Sequence, residues 1–467
     1  MIRNRILTVE KIGGTSMSKF EDVMNNIIMK PCNSCDYYNR IFVVSAYNNV
    51  TNWLLEHKKT KEPGIYQKFV NNENFDLAIM ELLDKLIAIN RTFEKIGLKQ
   101  QIADEFITNR ILQARNYLNS LAGVLATGYV NRQNILLAAR EILSSIGEAH
   151  SAFNSVNILT NNCINALFVD LCGFNDSDYL TIDERIHRAF QNIDYSSAIP
   201  IVTGYTKGTE GIMREFDRGY SEVTFSKVAV EVKADEAVIH KEFHLSSADP
   251  NIVGIDKSIP VGFTNFNVAD QLADVGMEAI HPKASKPLEM ARINIRIKNT
   301  FEPDHPGTLI SKDYVGEKSR VEIISGTDKV TAIEIHDPLM VGQVGFDRNI
   351  MQIFEQYNVS YILKATNANS ITQVIWDDDL TDALIDDLKK RYYEVTVKPV
   401  SLVCTLGTNI AQPGIIAKAT AALANNSINV DALSQSLKQV NMQFVIARDD
   451  YKKAIIALND ALCVKPG

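Results

Sequence analysis

The chain alternates short apolar, β-branched runs with longer segments whose apolar residues recur about every 3.6 residues. The short runs predict strands, and the segments between them predict amphipathic helices. Strands that alternate with helices are typical of an α/β fold with a mostly parallel sheet between two helical layers. The strand candidates are residues 6–12, 40–45, 166–170, 198–203, 236–240 and 293–297.

Residues 75–121 break this alternation. The run LAIMELLDKLIAI and the sequence after it keep a helical apolar period with no strand candidate inside it. The segment therefore predicts a helical insertion or a lid beside the active site.

The C-terminal third contains an internal repeat. From residue 330 onward, two strand–helix–strand patterns superimpose with an offset of 404 − 335 = 69 residues. Gly345 then falls on Gly414, Phe354 on Leu423 and Val359 on Ile428. A repeat of this size predicts two small duplicated α+β domains. The expected domains are residues 1–312, 313–396 and 397–467, because 467 residues are too many for one ordinary core.

The composition argues against two classes of binding partner, nucleic acids and membranes. The 56 acidic and 48 basic residues are well mixed, so the chain lacks the basic stripe that nucleic acid requires. No apolar stretch has the length of a membrane span, and the N-terminus has no signal-peptide pattern. We therefore expect a cytoplasmic protein that binds neither nucleic acid nor membrane.

Two patterns invite a metal or redox interpretation. Cys32 and Cys35 have the C-x-x-C spacing, but their surroundings are rich in Pro, Asn and Ser, which favours a surface loop. His240 and His244 have the spacing of a zinc-binding helix, but the preceding residues predict a strand. Neither pattern predicts a metal site.

The sharpest local motif is VEKIGGTSMSKFEDV at residues 9–23. A strand ends near Lys11, two glycines allow a tight turn, and hydroxyl residues precede an amphipathic helix. Such a turn directs backbone N–H groups and a cation towards one point, where phosphate oxygens can bind. It differs from the P-loop, in which the lysine follows the glycines.

With this motif the chain resembles the aspartate kinase family. KIGGTS is similar to the family's KFGGTS, and FVVSAYNNVTN to its VVSAMxxVTN segment. IGEAHSA, PIVTGYTKG, DRGYSE, SSADP and IKNTFEPDHPGTLI follow in the family's order, and the C-terminal repeat resembles its two ACT domains. VEKIGGTSM and IHKEFHLSSADP look most like variants associated with ectoine-producing pathways. The resemblance implies an amino-acid-kinase fold followed by two ferredoxin-like ACT domains.

The resemblance also implies residue roles for the phosphoryl-transfer side. Lys11 would be catalytic, and Glu222 would contact Lys11 or Mg²⁺. The residues implied to hold the transferred phosphoryl group are Gly13, Gly14, Thr15 and Ser16.

On the side of the acceptor, Glu148 would bind the ammonium of aspartate and Arg218 its α-carboxylate, since a guanidinium binds a carboxylate through two hydrogen bonds. Ser45, Thr51 and Ser221 would line the substrate pocket. The family's GRGGSD appears here as DRGYSE, so Glu222 replaces an aspartate and Tyr220 replaces a glycine.

The nucleotide side departs further from the family pattern. Lys241 stands where the family has an aspartate, Ser246 where it has a tyrosine, and Glu278 where it has a lysine. Lys241, Ser246 and Asp249 remain the candidates for nucleotide binding, and the contacts to adenosine cannot be copied from the family.

The chemistry of the implied reaction needs no general base. A free aspartate side chain has a pKa of about 3.9, so the nucleophile is already anionic at neutral pH. The obstacle is repulsion between two anions, which Mg²⁺ bound with ATP and the cationic side chains would reduce.

The ACT repeat implies regulation. Lysine or threonine would bind at the turn formed by Met340, Gly342, Gly345 and Phe346, in a homodimer joined through the ACT domains. Two alternatives stay open from the sequence alone. The chain could be a non-catalytic amino-acid sensor, or a kinase of the same fold that phosphorylates a different carboxylate.

Overall fold

The computed structural model describes residues 6–30, 37–57, 60–216, 219–277 and 279–463. The Cys32–Cys35 pair, Arg218 and Glu278 lie outside the described residues. The chain divides into two compact units, Met1–His244 with His281–Gly307, and Leu245–Ile280 with Thr308–Gly467. The domain boundaries predicted from the sequence at residues 312 and 396 stay predictions.

Fourteen strands occur in the described residues. They are β1 (Thr8–Ile12), β2 (Arg40–Val44), β3 (Ala166–Val169), β4 (Ile199–Thr203), β5 (Glu236–Lys241), β6 (Phe263–Asn265), β7 (Asn294–Asn299), β8 (Thr308–Ser311), β9 (Ile323–His336), β10 (Leu363–Thr366), β11 (Ser370–Trp376), β12 (Glu394–Leu406), β13 (Val430–Gln435) and β14 (Asn441–Ala447).

Seventeen α-helices occur in the same residues. They are α1 (Gly14–Met17), α2 (Phe20–Val23), α3 (Val50–Leu54), α4 (Ile65–Val70), α5 (Asp76–Phe93), α6 (Gln100–Thr127), α7 (Arg132–Asn161), α8 (Ile182–Phe190), α9 (Ile212–Glu215), α10 (Tyr220–Glu231), α11 (Pro250–Val253), α12 (Phe266–Asp274), α13 (Pro282–Ala291), α14 (Phe346–Gln356), α15 (Asp382–Arg391), α16 (Ile415–Asn425) and α17 (Tyr451–Leu462).

The first unit is built on a parallel sheet with the strand order β3-β4-β2-β1-β5-β7. All six strands predicted from the sequence form this sheet, so the predicted α/β architecture is confirmed. The strands β2 and β4 are almost entirely apolar, as expected for a sheet covered by helices, whereas β1 and β5 bury the polar residues Glu10 and His240. Because parallel strands end at one edge, the residues that follow β1, β2, β4 and β5 come together there.

The segment predicted to be a helical insertion forms α5 and α6, and the long helix α7 follows. Phe106 of α6 stacks on Phe153 of α7, with ring centroids 3.9 Å apart. Asn90 of α5 accepts a hydrogen bond from Asn154 of α7 and lies 2.7 Å from the ring nitrogen of His150. These contacts fix the insertion on the middle of α7, where every residue from Leu143 to Ala152 is buried.

The second unit contains an antiparallel six-stranded sheet with the order β10-β11-β9-β12-β14-β13. The predicted repeat is present in it. Gly345 and Gly414 cap α14 and α16 with matching left-handed backbone angles, φ 82° and φ 93°. Asn358 and Ser427, which are also 69 positions apart, both adopt φ 55° at the end of these helices.

The two repeats share their long central strands. The C-terminal half of β9 belongs to the first repeat, whereas its first residues pair with the end of β12, with Ile323 opposite Leu406 and Thr327 opposite Leu402. The second repeat therefore receives its fourth strand from a segment that precedes the first repeat in the chain. Ile324 packs in one core cluster with Phe444 and Leu458.

No helix in the described part of the chain combines the length and the apolar character needed to cross a membrane.

Candidate active site

The turn after β1 is shaped by Gly14. A Cβ atom at this position would lie 2.6 Å from the carbonyl oxygen of Ala46, so a side chain does not fit without moving the backbone. At Gly13 the nearest atoms would be 3.9 Å away, an ordinary van der Waals distance, so the close approach that excludes a side chain is at Gly14. The first N–H groups of α1 begin in this turn, where helical geometry provides them with no partner within the helix. This is the backbone arrangement that the sequence predicts for phosphate binding.

Lys11 and Glu222 form an ion pair beside this turn. The Nζ atom of Lys11 lies 3.3 Å from Oε1 of Glu222, and both side chains are largely buried. The backbone N–H of His281 donates to Oε2 of the same carboxylate at 2.7 Å. Burial raises the pKa of Glu222, but the charges of Lys11 and Lys241 outweigh burial and hold this pKa below its usual value. The glutamate that replaces the family's aspartate therefore remains an ionised partner of Lys11.

A second carboxylate at the turn belongs to Glu242, which the sequence analysis did not identify. Its Oε1 atom accepts a hydrogen bond from Ser16 Oγ at 3.1 Å, and Ser16 Oγ also lies 3.2 Å from Thr300 Oγ1. Glu242 follows β5 directly, and β5 pairs with β1 in parallel. The available signal was its position one residue after Lys241, at the carboxyl end of a strand adjacent to the glycine turn.

A polar cleft of about 480 Å³ opens next to the turn. It contains six predicted site residues from four different parts of the chain, so the structure brings these motifs together. The lining residues are Gly14, Thr15, Ser45, Ala46, Tyr47, Asn48, Asn49, Thr51, Asn52, Glu148, Gly219, Tyr220 and Ser221. Ser45 and Ser221 lie within hydrogen-bond distance, with 3.2 Å between their Oγ atoms.

Glu148 projects from α7 into this cleft and is 3% exposed. Within the described part of the chain its Oε2 atom is buried and has no hydrogen-bond partner. Burial raises the pKa of Glu148 to about 7. A buried carboxylate oxygen without a donor, in a polar cleft, suits a cationic ligand group such as an ammonium.

The nucleotide candidates are distributed over both units. Lys241 ends β5 in the first unit. In the second unit, Ser246 forms an isolated bridge with Pro260, and Asp249 caps α11 by accepting from the N–H of Asn251 at 2.9 Å. Their role in nucleotide binding stays a prediction.

The effector candidates lie at the start of the first repeat's helix. Met340 and Phe346 are buried in the core of that repeat, whereas Gly342 and Gly345 adopt left-handed conformations, φ 75° and 82°. Met340 and Phe346 therefore anchor the turn in the core of the repeat, and Gly342 and Gly345 provide the left-handed backbone conformations of the turn.

The two histidines of HKEFH form separate interactions. His240 lies on β5, as the sequence predicts, and its Nε2 atom is 2.7 Å from the buried carboxylate of Glu10. Arg40 also bonds Glu10. His244 instead contacts Glu302, at 3.0 Å.

Comparisons with known proteins agree with this architecture. Residues 7–299 match the amino acid kinase family, and residues 403–462 match an ACT domain. The aspartate kinase Ask_Ect of Stutzerimonas stutzeri is 45% identical over 461 residues, which cover 97% of each chain.

Two solved structures show the same fold. Escherichia coli aspartokinase III in complex with aspartate and ADP has a TM-score of 0.72 at 20% identity, over 98% of this chain and 100% of that one. The same enzyme in complex with lysine and aspartate has a TM-score of 0.68 at 18% identity, over 97% of this chain and 99% of that one.

Proposed function

We propose that this chain, which belongs to the amino acid kinase family and within it to the aspartate kinases, transfers the γ-phosphate of ATP to the side-chain carboxylate of L-aspartate. The observation that carries the proposal is the shared cleft. It places the glycine turn beside a buried carboxylate, Glu148, whose free oxygen suits an ammonium group. The product would be 4-phospho-L-aspartate.

The reaction needs positioning and cations more than it needs a base. The aspartate side chain is ionised at neutral pH, so it can attack the γ-phosphorus directly. The Lys11 ammonium would lie against the transferring phosphoryl group. Its positive charge would lower the repulsion between the phosphoryl group and the carboxylate of aspartate. The ion pair with Glu222 restricts where the Lys11 ammonium can lie. Glu222 therefore acts as an orienting partner for the lysine.

The cleft would bind aspartate through its ammonium and α-carboxylate groups, which do not take part in the reaction. Glu148 would pair with the ammonium, and Ser45, Thr51 and Ser221 would donate hydrogen bonds to carboxylate oxygens. Arg218, which lies outside the described residues, would bind the α-carboxylate as the sequence predicts. Fixing these groups converts the transfer into a step between preoriented partners.

Mg²⁺ bound with ATP fits the residues at the turn. This ion prefers oxygen ligands and is commonly bound by one or two carboxylates together with substrate phosphates. Glu222 and Glu242 are carboxylates placed at the turn by hydrogen bonds to Lys11 and Ser16. When bound, the ion would neutralise phosphate charge and orient the γ-phosphate.

We further propose a regulatory role for the ACT pair. Lysine or threonine would bind near Gly345, in a cytoplasmic homodimer joined through the ACT domains. The Escherichia coli enzyme solved with lysine supports an amino acid effector for this class. The product would enter the synthesis of lysine, threonine or ectoine.

The test is a coupled assay with hydroxylamine, which traps an acyl phosphate as a hydroxamate. Purified protein with ATP, Mg²⁺ and aspartate should form hydroxamate, and replacing aspartate with glutamate should abolish most of it. No hydroxamate above the blank without enzyme would reject the proposal. A signal with glutamate alone would indicate a different acceptor, and nucleotide-free binding of amino acids without turnover would indicate a sensor.

A further inference from the structure

We propose that a cavity in the second compact unit binds an amino acid with an apolar or aromatic side chain, at a site other than the aspartate cleft and the predicted effector turn. The cavity has a volume of about 250 Å³. This volume lies just below the range of about 300–1,000 Å³ that is typical for drug-sized ligands, so the cavity suits a smaller molecule. The inference goes beyond the proposed phosphoryl transfer and does not depend on it.

The walls of the cavity come from parts of the chain that are far apart in sequence. Residues 259–263 lie within the part that matches the amino acid kinase family, and Cys463 directly follows the part that matches an ACT domain. Residues 314 and 320–322 belong to the segment between these two matches. A ligand in the cavity would therefore contact both the kinase part and the ACT part of the chain.

One wall of the cavity is fixed by hydrogen bonds. The N–H of Val261 donates to the carbonyl of Leu245 at 2.8 Å, and the N–H of Ser247 donates to the carbonyl of Ile259 at 2.7 Å. The Ser247 hydroxyl donates to Oδ1 of Asn459 in α17 and accepts from the N–H of Ile259, each at 3.1 Å. This wall is therefore formed before a ligand binds, which lowers the ordering cost of binding.

Two aromatic rings provide an apolar surface of the cavity. Phe263 and Tyr314 both line it and stack on each other, with ring centroids 5.6 Å apart at an interplanar angle of 27°. The side-chain amide of Asn265 donates to the carbonyl of Tyr314 at 2.9 Å, which holds the backbone of Tyr314 in place. Phe263 is 55% exposed, so this ring is not enclosed in the core. The pair suits contact with an apolar or flat ligand side chain.

Two side chains of opposite charge line the same cavity. Arg320 and Glu322 lie two residues apart on the segment that leads into β9. Arg320 is exposed, and its guanidinium forms no hydrogen bond or ion pair with any residue that the structure describes, Glu322 included. Glu322 accepts hydrogen bonds from the hydroxyl and the backbone N–H of Thr408, at 2.7 and 3.3 Å, one on each oxygen. An ionised carboxylate has about four acceptor positions, so Glu322 retains acceptor capacity.

This combination of groups fits a zwitterion. A guanidinium binds a carboxylate through two parallel hydrogen bonds, and a carboxylate attracts an ammonium. An amino acid would place its α-carboxylate on Arg320 and its ammonium on Glu322. Its side chain would lie against the rings of Phe263 and Tyr314. A ligand with one charge alone would leave one member of the charged pair without a partner.

Calorimetry of the full chain with L-phenylalanine tests this site, and we expect saturable binding. Two analogues separate the two charges, since 3-phenylpropionate lacks the ammonium and phenethylamine lacks the carboxylate. Each analogue should bind at least about tenfold more weakly than phenylalanine, the size expected for the loss of one hydrogen bond to a charged group.

Variants assign the binding to the cavity. Arg320→Gln should weaken phenylalanine at least about tenfold but leave phenethylamine unchanged, because that analogue has no carboxylate. Glu322→Gln should weaken phenylalanine but not 3-phenylpropionate. Arg91→Gln is the matched control, because it removes an exposed arginine of α5 in the other compact unit, and it should leave binding unchanged. Gly345→Ala, which alters the predicted effector turn, should also leave phenylalanine binding unchanged.

No heat from L-phenylalanine or L-leucine at several millimolar would overturn the inference. Equal binding of phenylalanine and 3-phenylpropionate would also overturn it, because Glu322 would then contribute nothing. Phenylalanine binding that survives Arg320→Gln but is lost in Gly345→Ala would place the ligand at the effector turn instead. If Glu322→Gln does not fold, the three ligands compared on wild-type protein decide the role of the carboxylate. These measurements use binding alone, so a failure of the proposed function, seen as absence of hydroxamate, is distinguishable from a failure of this inference.

Discussion

Lys11 carries the largest expected effect of any single residue. It is the cation at the glycine turn that the sequence predicts, and Glu222 holds it at 3.3 Å. We expect Lys11→Ala to lower kcat by at least about 100-fold, by analogy with the loss of one preorganised donor that stabilises transition-state charge. Single-turnover phosphate transfer measures this directly.

A matched control for this change is Lys227→Ala. Lys227 also pairs with a carboxylate, that of Asp183, but this pair is exposed and contributes little to stability. Its removal should leave kcat unchanged. A decrease of less than tenfold in Lys11→Ala would show that Lys11 is structural.

Glu148 predicts a specific pH dependence. Burial raises its pKa to about 7, and only the ionised form attracts an ammonium. As pH falls below 7, more of the free enzyme is protonated, so kcat/KM for aspartate should fall about tenfold for each pH unit. Glu148→Gln should lose this dependence, and its KM should be high at all pH values. A wild-type profile that is flat from pH 5.5 to 8.5 would contradict the assignment.

The same raised pKa affects stability in the opposite direction. The folded-state value of about 7 exceeds the ordinary value of 4.5, so the ionised group opposes folding above pH 7 and not below pH 4.5. Glu148→Gln should therefore raise the melting temperature at pH 8 relative to wild type. At pH 5 the difference should be smaller, because wild-type Glu148 is then protonated in the fold.

At the scale of residues, the sequence predicted those site residues that lie inside a recognisable continuous motif. Ser45, Glu148 and Ser221 meet in one cleft because their motifs follow parallel strands or the helix beside them. Glu242 was missed because its contact is non-local. Its partner Ser16 lies 226 positions away, and no local pattern reveals such a distance.

At the scale of elements, all six strand candidates before residue 300 were confirmed, whereas β11 and β14 of the repeats were missed, because each repeat was predicted as strand–helix–strand. The strands β6 and β8 were missed, since they have three and four residues and are too short to show alternation. The shared strand of the C-terminal sheet was also missed. Residues 323–327 precede the first repeat in the chain but complete the second repeat about 80 residues later, so they fall outside the segments that match at an offset of 69 residues.

The packing of α7 gives a prediction for this scale. A Cβ atom at Gly147 would lie 2.6 Å from Cβ of Ala46, so the helix contacts the loop after β2 without a side chain between them. Gly147→Ala should push Glu148 away from the cleft and cost about 1–3 kcal/mol in the free energy of unfolding. We therefore expect a lower melting temperature and a higher KM for aspartate.

Gly123→Ala is the matched control, since Gly123 is also inside a long helix, α6. Nothing lies within 4 Å of the Cβ that would be added there. Alanine should stabilise this helix by about 0.5–1 kcal/mol and leave the KM unchanged. Equal behaviour of the two variants in thermal unfolding would contradict the close approach at Gly147.

At the scale of the whole molecule, the second unit behaves as one sheet with two cores. The long strands β9 and β12 run through both repeats, and each repeat has its own apolar cluster. Residues of 245–280 join the core of the second repeat through Ala248 and Val253. We therefore expect the two repeats to unfold in one transition, although they arose as separate copies.

The two copies nevertheless differ at the place where an effector would bind. Gly345 and Gly414 begin α14 and α16 with nearly the same backbone, but Asp347 lies in the first turn of α14, where it pairs with Lys364. The first turn of α16 has no acidic residue. We propose that lysine or threonine binds near Gly345, with the effector carboxylate at the N–H groups of the helix start. The paired glycines allow this choice of repeat to be tested.

Calorimetry with lysine, threonine and methionine, each to several millimolar, should show binding of lysine or threonine to a protein that light scattering identifies as a dimer. Gly345→Ala should weaken that binding, because an L-residue at φ 82° is strained by about 1–2 kcal/mol and the turn must shift. Gly414→Ala introduces the same strain in the second repeat and should leave the heat unchanged. Tenfold inhibition requires the effector to bind the inactive state about 1.4 kcal/mol more tightly than the active state, so an effector with nearly equal affinity for both states would bind without inhibiting. If Gly414→Ala alone removes the heat, the effector binds the second repeat, and if no amino acid gives heat, the ACT pair is a dimerisation module.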